Sequence, residues 1–476
     1  MTDRPNILFI NTDQQSWNAI SAYNNPYVHT PNIDRLHGNG VSFMKAYCSD
    51  PVCAPARSSW MTGRYASETG VPFNGGCLHA HLLDLGQILN SNGYRAFHCG
   101  KWHVDGRDMR QSFHNLYTGQ RDIGAGGGEY YDSASTHAAL SFLSTYDNHN
   151  PFYLQVGYVN PHDICEYLHN HEQKTIPDSV VQQTVGESAL PPLPENFEYD
   201  VGETLLQQVC RRHEGALIHD KIRRAVQRWS DLQWRFYIWN YYRYVEKVDY
   251  EIGLLLNALA QTDLAENTLI IFSSDHGEAC ASHQMFQKFT LYQESIRVPF
   301  IVASLGDCFG LQKSSFDHRH FISGVDLLPT ICDYAEAKIP QGVQGHSLRP
   351  ILEGQKTDWR TFAFIESNYW GRAIVTDQYK YVMEYLPADD FVPLGPDPTR
   401  LGREQLFDLV TDPFETTNLS KELPYQSELK LCRKLLWTQE EKLNRHPLTH
   451  HRSQETISSW RNTLRQAWAQ ANLATK

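Results

Sequence analysis

Five short apolar runs, each bounded by polar or Gly/Pro punctuation, constrain the fold of this chain more than any other feature. They are Asn6 to Asn11, Tyr94 to Cys99, Phe152 to Val159, Thr268 to Ser273 and Val298 to Ala303. Helical stretches lie between them. One is Asp249 to Ala260, whose Ile252, Leu255, Leu256 and Leu259 fall on one face. Strand-like runs alternating with helices imply an α/β fold, a large, mostly parallel sheet sandwiched by helices.

In such a sheet the chemistry gathers beyond the carboxyl ends of the strands. Four of the runs end in polar clusters: Thr12-Asp13-Gln14, Gly100-Lys101-Trp102-His103, Asn160-Pro161-His162-Asp163 and Ser274-Asp275-His276-Gly277. Each alone could be simple loop chemistry. Together they predict one convergent site.

Residues 165–235 break the alternation with His, Gln, Pro and charge, and read as an excursion over the site mouth, where specificity is often set. After about residue 355 the pattern changes. Arg372 to Val382 and Glu404 to Leu409 read as antiparallel strands, and Gln426 to Asn444 as a helix. The expected division is a catalytic domain over 1–355 and a small C-terminal α+β subdomain over 356–476, ending in a tail with His446, His450 and His451.

A formal net charge of -12 argues against nucleic acid as a partner. It also means that an anionic substrate must be attracted by local cations or a metal. No apolar run reaches membrane-spanning length. The start Met-Thr-Asp-Arg-Pro enters a strand pattern without an apolar leader, and the ten cysteines show no CxxC spacing. Both predict a cytoplasmic protein with reduced thiols.

The strongest local signal is Pro51-Val52-Cys53-Ala54-Pro55-Ala56-Arg57-Ser58-Ser59-Trp60-Met61-Thr62-Gly63-Arg64. Pro55 suits a first helical turn and Gly63 a helix end, which places Cys53 just before a helix N-terminus. Backbone N–H groups and the helix dipole favour negative charge there, and Arg57 lies one turn on. The plainer reading is a buried small hydrophobe and a surface cation.

Cys-x-Pro-x-Arg followed by Ser-x-x-x-Thr-Gly-Arg resembles the signature of the type I sulfatases, a family of the alkaline-phosphatase superfamily. Further segments resemble the family in order: Pro5 to Asp13, Thr30 to Leu36, Gly100 to His103, Asn160 to His162, Ser274 to Glu278, Lys288 with its flanks, Arg372 to Val382 and Leu406 to Leu419. The resemblance covers residues 5 to about 420.

It implies that Cys53 is converted by a formylglycine-generating enzyme to formylglycine, whose hydrate is the nucleophile. It further implies a divalent metal held by Asp13, Gln14, Asp275, His276 and an oxygen of residue 53. Arg57 and Lys101 would steady the hydrate and the transferred group, and His103 would assist collapse of the sulfated hydrate. His162 and Lys288 would contact sulfate and protonate the leaving group. Many sulfatases carry Asp where Gln14 stands and Asn where His276 stands. An imidazole opens the site to Mn2+, Mg2+ is a further alternative, and Ca2+ stays the first expectation.

The expected substrate is a small anionic sulfate ester. The aromatic content of 12%, with 25 Tyr and 11 Trp, tilts the reading to a sulfated saccharide. Glu166, Tyr167 and His169, with Asn368, Tyr369 and Trp370, are the expected substrate contacts. Choline sulfatase and phosphodiesterase or phosphonate monoester hydrolase chemistry on the same modified cysteine stay open. So do a non-catalytic sulfated-glycan binder and a plain cysteine hydrolase.

Overall fold

Strand β1, Asn6–Asp13, is buried along its whole length, and its residues alternate between two cores. Ile7 and Phe9 join one cluster with Trp60, Ile271 and Leu328; Leu8 and Ile10 join another with Val248, Ile252, Leu256 and Phe272. A strand with apolar side chains on both faces needs cover on both, and helices supply it. The computed structural model describes residues 4–118, 127–147, 149–171, 176–199, 203–204, 225–367, 371–384 and 404–443.

The large sheet adds β2 (Gly40–Tyr47), β3 (Arg95–Gly100), β4 (His114–Tyr117), β5 (Phe152–Pro161), β6 (Thr268–Ser274), β7 (Phe300–Ala303) and β8 (Ser315–Ser323). The order is β4-β3-β5-β1-β6-β7-β2-β8. Neighbours run parallel except around β7, which is antiparallel to both β6 and β2. The expected α/β class and mostly parallel sheet are therefore present. β1 lies in the middle, paired with β5 on one side and β6 on the other. The three strands that end in Asp13, Pro161 and Ser274 are thus adjacent, which brings their exits together.

Six helices matter for the site: α1 (Pro31–Gly38), α2 (Cys53–Thr62), α3 (Gly128–Thr145), α4 (Ile164–Asn170), α5 (Asp231–Ala260) and α6 (Gln426–Lys442). Helix α5 is far longer than the expected Asp249 to Ala260. Its start is fixed by a capping box, in which the Ser230 side chain accepts from the Gln233 N–H and Gln233 reciprocates. Its first half carries Trp234, Phe236, Tyr237 and Tyr241 inward, all buried.

A second sheet, order β12-β11-β10-β9, is antiparallel: β9 (Ala363–Ser367), β10 (Gly371–Val375), β11 (Tyr379–Glu384) and β12 (Glu404–Asp408). The run Arg372 to Val382, read as one strand, is a hairpin folded between Val375 and Tyr379. Helix α6 packs its Leu429, Cys432 and Leu436 with Ile374, Tyr381 and Leu406 of this sheet.

Candidate active site

Cys53 is the first residue of α2 rather than the residue before it. The Val52 carbonyl already accepts the Ala56 N–H at 3.0 Å, and Val52 is extended, so Val52 is the N-cap. Gly63 ends the helix at φ 65, the left-handed position that favours glycine. All ten residues of α2 are buried, so Arg57 is no surface cation. The Ala54 N–H, one of the free donors of the first turn, goes to Asn74 Oδ1 at 3.1 Å.

Around Cys53 Sγ stand Lys288 Nζ at 2.9 Å, His276 Nε2 at 3.2 Å and Asp13 Oδ1 at 3.8 Å. Burial alone would raise the Cys53 thiol's pKa, as would Asp13. Lys288, His276 and Lys101 outweigh both and bring it well below its usual value.

The two carboxylates are each split between a cation and the centre. Asp13 Oδ2 is held by Arg57 Nη2 at 3.1 Å and Lys101 Nζ at 2.7 Å, which leaves Oδ1 facing Cys53, His162 and His276. Asp275 Oδ2 takes Arg57 Nε at 2.8 Å, and its Oδ1 accepts the backbone N–H groups of Gln14 and His276, both at 3.0 Å. Burial opposes the charge on Asp13, but Lys101, His162, Lys288 and Arg57 hold its pKa well below the ordinary carboxylate value.

His276 donates Nδ1–H to the Gly277 carbonyl at 3.0 Å, which turns the Nε2 lone pair inward. Donor atoms of Asp13, Cys53, Asp275 and His276 all lie within 4.8 Å of one another. A fifth donor, Gln14 Oε1, sits 3.1 Å from Lys288 Nζ at the same centre. Two carboxylates, an amide oxygen and an oriented imidazole converging on a buried point fit a divalent cation.

Lys288 Nζ also lies 3.0 Å from His162 Nε2. Burial and the neighbouring Lys288 push His162 down to about 4, so at neutral pH it is an uncharged acceptor for the lysine. His103, at the exit of β3 beyond Lys101, is buried and adopts φ 49. Three fixed cations, Arg57, Lys101 and Lys288, therefore surround the centre in a chain whose net charge is -12. That is the local attraction an anionic substrate requires.

Of the expected substrate contacts, Glu166 is half-buried and His169 exposed on α4, directly after His162 and Asp163. Tyr167 turns elsewhere: its ring packs with Trp229, Phe236 and Tyr237 in an aromatic cluster. Asn368, Tyr369 and Trp370 lie outside the described residues. Two groups to which sequence reasoning assigns no role are central here. The fully buried Glu278 accepts from Gln14 Nε2, and the Tyr241 hydroxyl donates to the Gln14 carbonyl at 2.8 Å. Glu278 stands inside a family-like segment, yet nothing in the sequence pairs it with Gln14.

A sulfatase family profile matches residues 5–337, and one for the C-terminal part of N-sulphoglucosamine sulphohydrolase matches 281–442. The chain belongs to the sulfatase family, and it is an enzyme, a sulfuric ester hydrolase. A Delta 4,5-hexuronate-2-O-sulfatase of Bacteroides thetaiotaomicron is 28% identical over 463 residues, covering 91% of this chain and 88% of the relative. An ulvan-active sulfatase of Formosa agariphila is 29% identical over 435 residues, covering 87% of this chain and 77% of the relative. The solved structure of a 2-O GAG sulfatase superposes with a TM-score of 0.77 at 27% identity, covering 92% of this chain and 93% of the other.

Proposed function

We propose that this protein removes sulfate from a sulfated saccharide, with a formylglycine made from Cys53 as nucleophile and one divalent cation. Asp13, Gln14, Asp275, His276 and residue 53 would hold the ion. What supports this most is a single arrangement: the buried donors around Cys53, drawn from three separate segments and ringed by Arg57, Lys101 and Lys288. The saccharide rests on the relatives, whose names specify a hexuronate, ulvan and a GAG. Ca2+ is proposed first because most donors are oxygens; His276 makes Mn2+ the first alternative, with Mg2+ after it.

When bound, the cation would polarise the sulfuryl oxygens, and modified residue 53 would supply the attacking oxygen. Arg57 spans Asp13 and Asp275 with its fork and fixes both carboxylates. Lys101, beside Asp13, offers positive charge where the transferred group becomes more negative. Lys288 carries a proton, and neutral His162 accepts its hydrogen bond, so the pair can protonate a leaving oxygen. His103, from the strand exit that carries Lys101, is assigned to proton removal at residue 53. Glu166 and His169, next along the chain from His162, are the proposed saccharide contacts.

Residues 1–355 are read as the catalytic unit and 356–476 as the accessory one. The nine described cysteines are all free thiols, which supports a reducing compartment, the cytoplasm. Among the described residues no helix is long and apolar enough to cross a membrane.

The test is a sulfate-release screen over sulfated uronates, sulfated hexosamines, choline sulfate and aryl sulfate, with phosphate diesters beside them. The protein is co-expressed with a formylglycine-generating enzyme, and its metal content and intact mass are measured on the same sample. Release from a sulfated saccharide, with the mass of formylglycine at residue 53, is expected. A dominant phosphodiesterase rate, or full activity with Cys53 unmodified, would overturn the reading.

A further inference from the structure

Gln14 is the one donor at the centre whose side chain has two chemically opposite ends. If its amide turned over, it would aim an NH2 group at the cation. Its backbone is unusual too: it sits at φ 72, a region that side chains rarely adopt, directly after β1. Four bonds hold it there. Its N–H goes to Asp275 Oδ1, its carbonyl takes the Tyr241 hydroxyl, Oε1 faces Lys288 Nζ, and Nε2 meets Glu278 Oε2 at 2.6 Å.

Only one amide orientation satisfies the last two partners. A lysine ammonium can only donate, so the oxygen must face Lys288, and this turns the nitrogen to Glu278 Oε2. Glu278 is itself pinned. Its other oxygen, Oε1, accepts from the Tyr237 hydroxyl at 2.7 Å, the Gln287 N–H at 2.6 Å and the Cys280 N–H at 3.3 Å. The Gln287 bond also fixes the residue beside Lys288.

We propose that Glu278 is a positioning residue that sets the polarity of the Gln14 amide, keeping its oxygen on the cation, and that it anchors the Lys288 segment through the same carboxylate. The inference rests on the reading of Gln14 as a metal ligand.

Glu278→Gln preserves shape and inverts the logic. Two backbone N–H groups still converge on the Oε1 position, and neither can turn into an acceptor. The new amide must therefore keep its oxygen there and direct its NH2 at Gln14. Gln14 then flips, and its own NH2 faces Lys288 and the cation. A second change repairs the defect without restoring Glu278. In the double variant Gln14→Glu/Glu278→Gln, one oxygen of the carboxylate introduced at position 14 accepts from the amide introduced at position 278. The other oxygen faces the cation and Lys288. Gln14→Glu alone sets two carboxylates against each other.

The experiment is calorimetric titration of metal-stripped protein with Ca2+ and with Mn2+, for the wild type, both single variants and the double variant. Each is checked for an unchanged thermal transition in the stripped form. Glu278→Gln is expected to weaken cation binding at least about 10-fold, and the double variant to return within about 3-fold of the wild type, a coupling between adjacent groups. Wild-type affinity in Glu278→Gln, or no recovery in the double variant, overturns the proposal. Asp275→Asn separates the two levels: unchanged affinity there overturns the metal-site reading itself, whereas a loss there with intact binding in Glu278→Gln overturns only the role of Glu278.

Discussion

Among the described residues, two groups combine carboxylates, cations and imidazole largely out of solvent, and they use the same residue types to different ends. In the first, Asp13, Asp275 and His276 each keep a lone pair directed at a common point, while Arg57 and Lys101 neutralise the outer oxygens. In the second, His283, Glu294 and Glu415 also lie within 4.8 Å of one another. There each carboxylate is tied to a donor of the protein. Lys380 pairs with Glu415 Oε1 at 2.5 Å, the Gln293 N–H donates to Glu415 Oε2 at 2.9 Å, and Asn196 Nδ2 donates to Glu294 Oε1 at 2.8 Å. His283 stacks on Tyr292 with ring centroids 3.8 Å apart. The first group turns its donors to the position of Cys53. The second ties β11 to the segment that carries Lys288. Proximity of acids and histidines therefore does not make a metal site; the first group is marked by donors gathered at Cys53 and by Arg57, Lys101 and Lys288 around them.

The sharpest way to break this contrast is to remove the shared fork of the first group. Arg57→Lys keeps one charge but cannot span Asp13 and Asp275. It should lower kcat/KM for sulfate release by at least about 100-fold, in line with the loss of one preorganised electrostatic contact. Steady-state kinetics on the variant would check it, and a change under about tenfold would show that the fork is not needed.

Removing a cation from the second group should do the reverse. Lys380 is wholly buried, so above about pH 7, where Glu415 is ionised, Lys380→Met leaves Glu415 without its counter-charge and should cost about 3–5 kcal/mol of stability. The double variant Lys380→Met/Glu415→Leu should recover most of that, because the uncompensated charge is gone. Urea unfolding gives the stabilities, and kcat at a temperature where all variants are folded should stay within about threefold of the wild type. A catalytic collapse in Lys380→Met would erase the distinction between the two groups.

The two groups also differ in how far the chain reveals them. The first is legible because each strand exit announces itself: an apolar run stops and Asp13, Lys101, His162 or Asp275 follows. The second is invisible, since His283, Glu294, Lys380 and Glu415 carry no shared motif and meet only through tertiary packing. The same limit explains the strands that the apolar runs do not mark. β8 is an edge strand whose first half is largely exposed and reads Ser-Phe-Asp-His-Arg, without the apolar run of a buried strand. The first half of α5 is hidden by its aromatic density, although Ser230-Asp231-Leu232-Gln233 is a readable capping box. The position of Tyr167 after His162 suggests a substrate contact; on a helix that position faces the aromatic core instead.

The smallest expected effect concerns protons in the second group. Burial, with Glu294 nearby, pushes Glu415 up to about 7 although Lys380 pulls the other way. An unfolded glutamate titrates near ~4.3, so the folded protein holds this proton more tightly than the unfolded chain does. The sign follows: Glu415 contributes its stability fully below about pH 4.3, and that contribution is lost as pH rises through about 7. Between about pH 5 and 8 the loss should be on the order of 1–3 kcal/mol. Asp132, also pushed up to about 7 by burial, titrates in the same window and with the same sign. Only the difference between wild type and Glu415→Gln isolates the second group. Glutamine keeps an acceptor for the Gln293 N–H and removes the titration, so its stability should fall less steeply between about pH 5 and 8. Parallel stability curves for the two proteins, measured by urea unfolding at each pH, would show that Glu415 stays ionised throughout and that the pair with Lys380 is a full salt bridge.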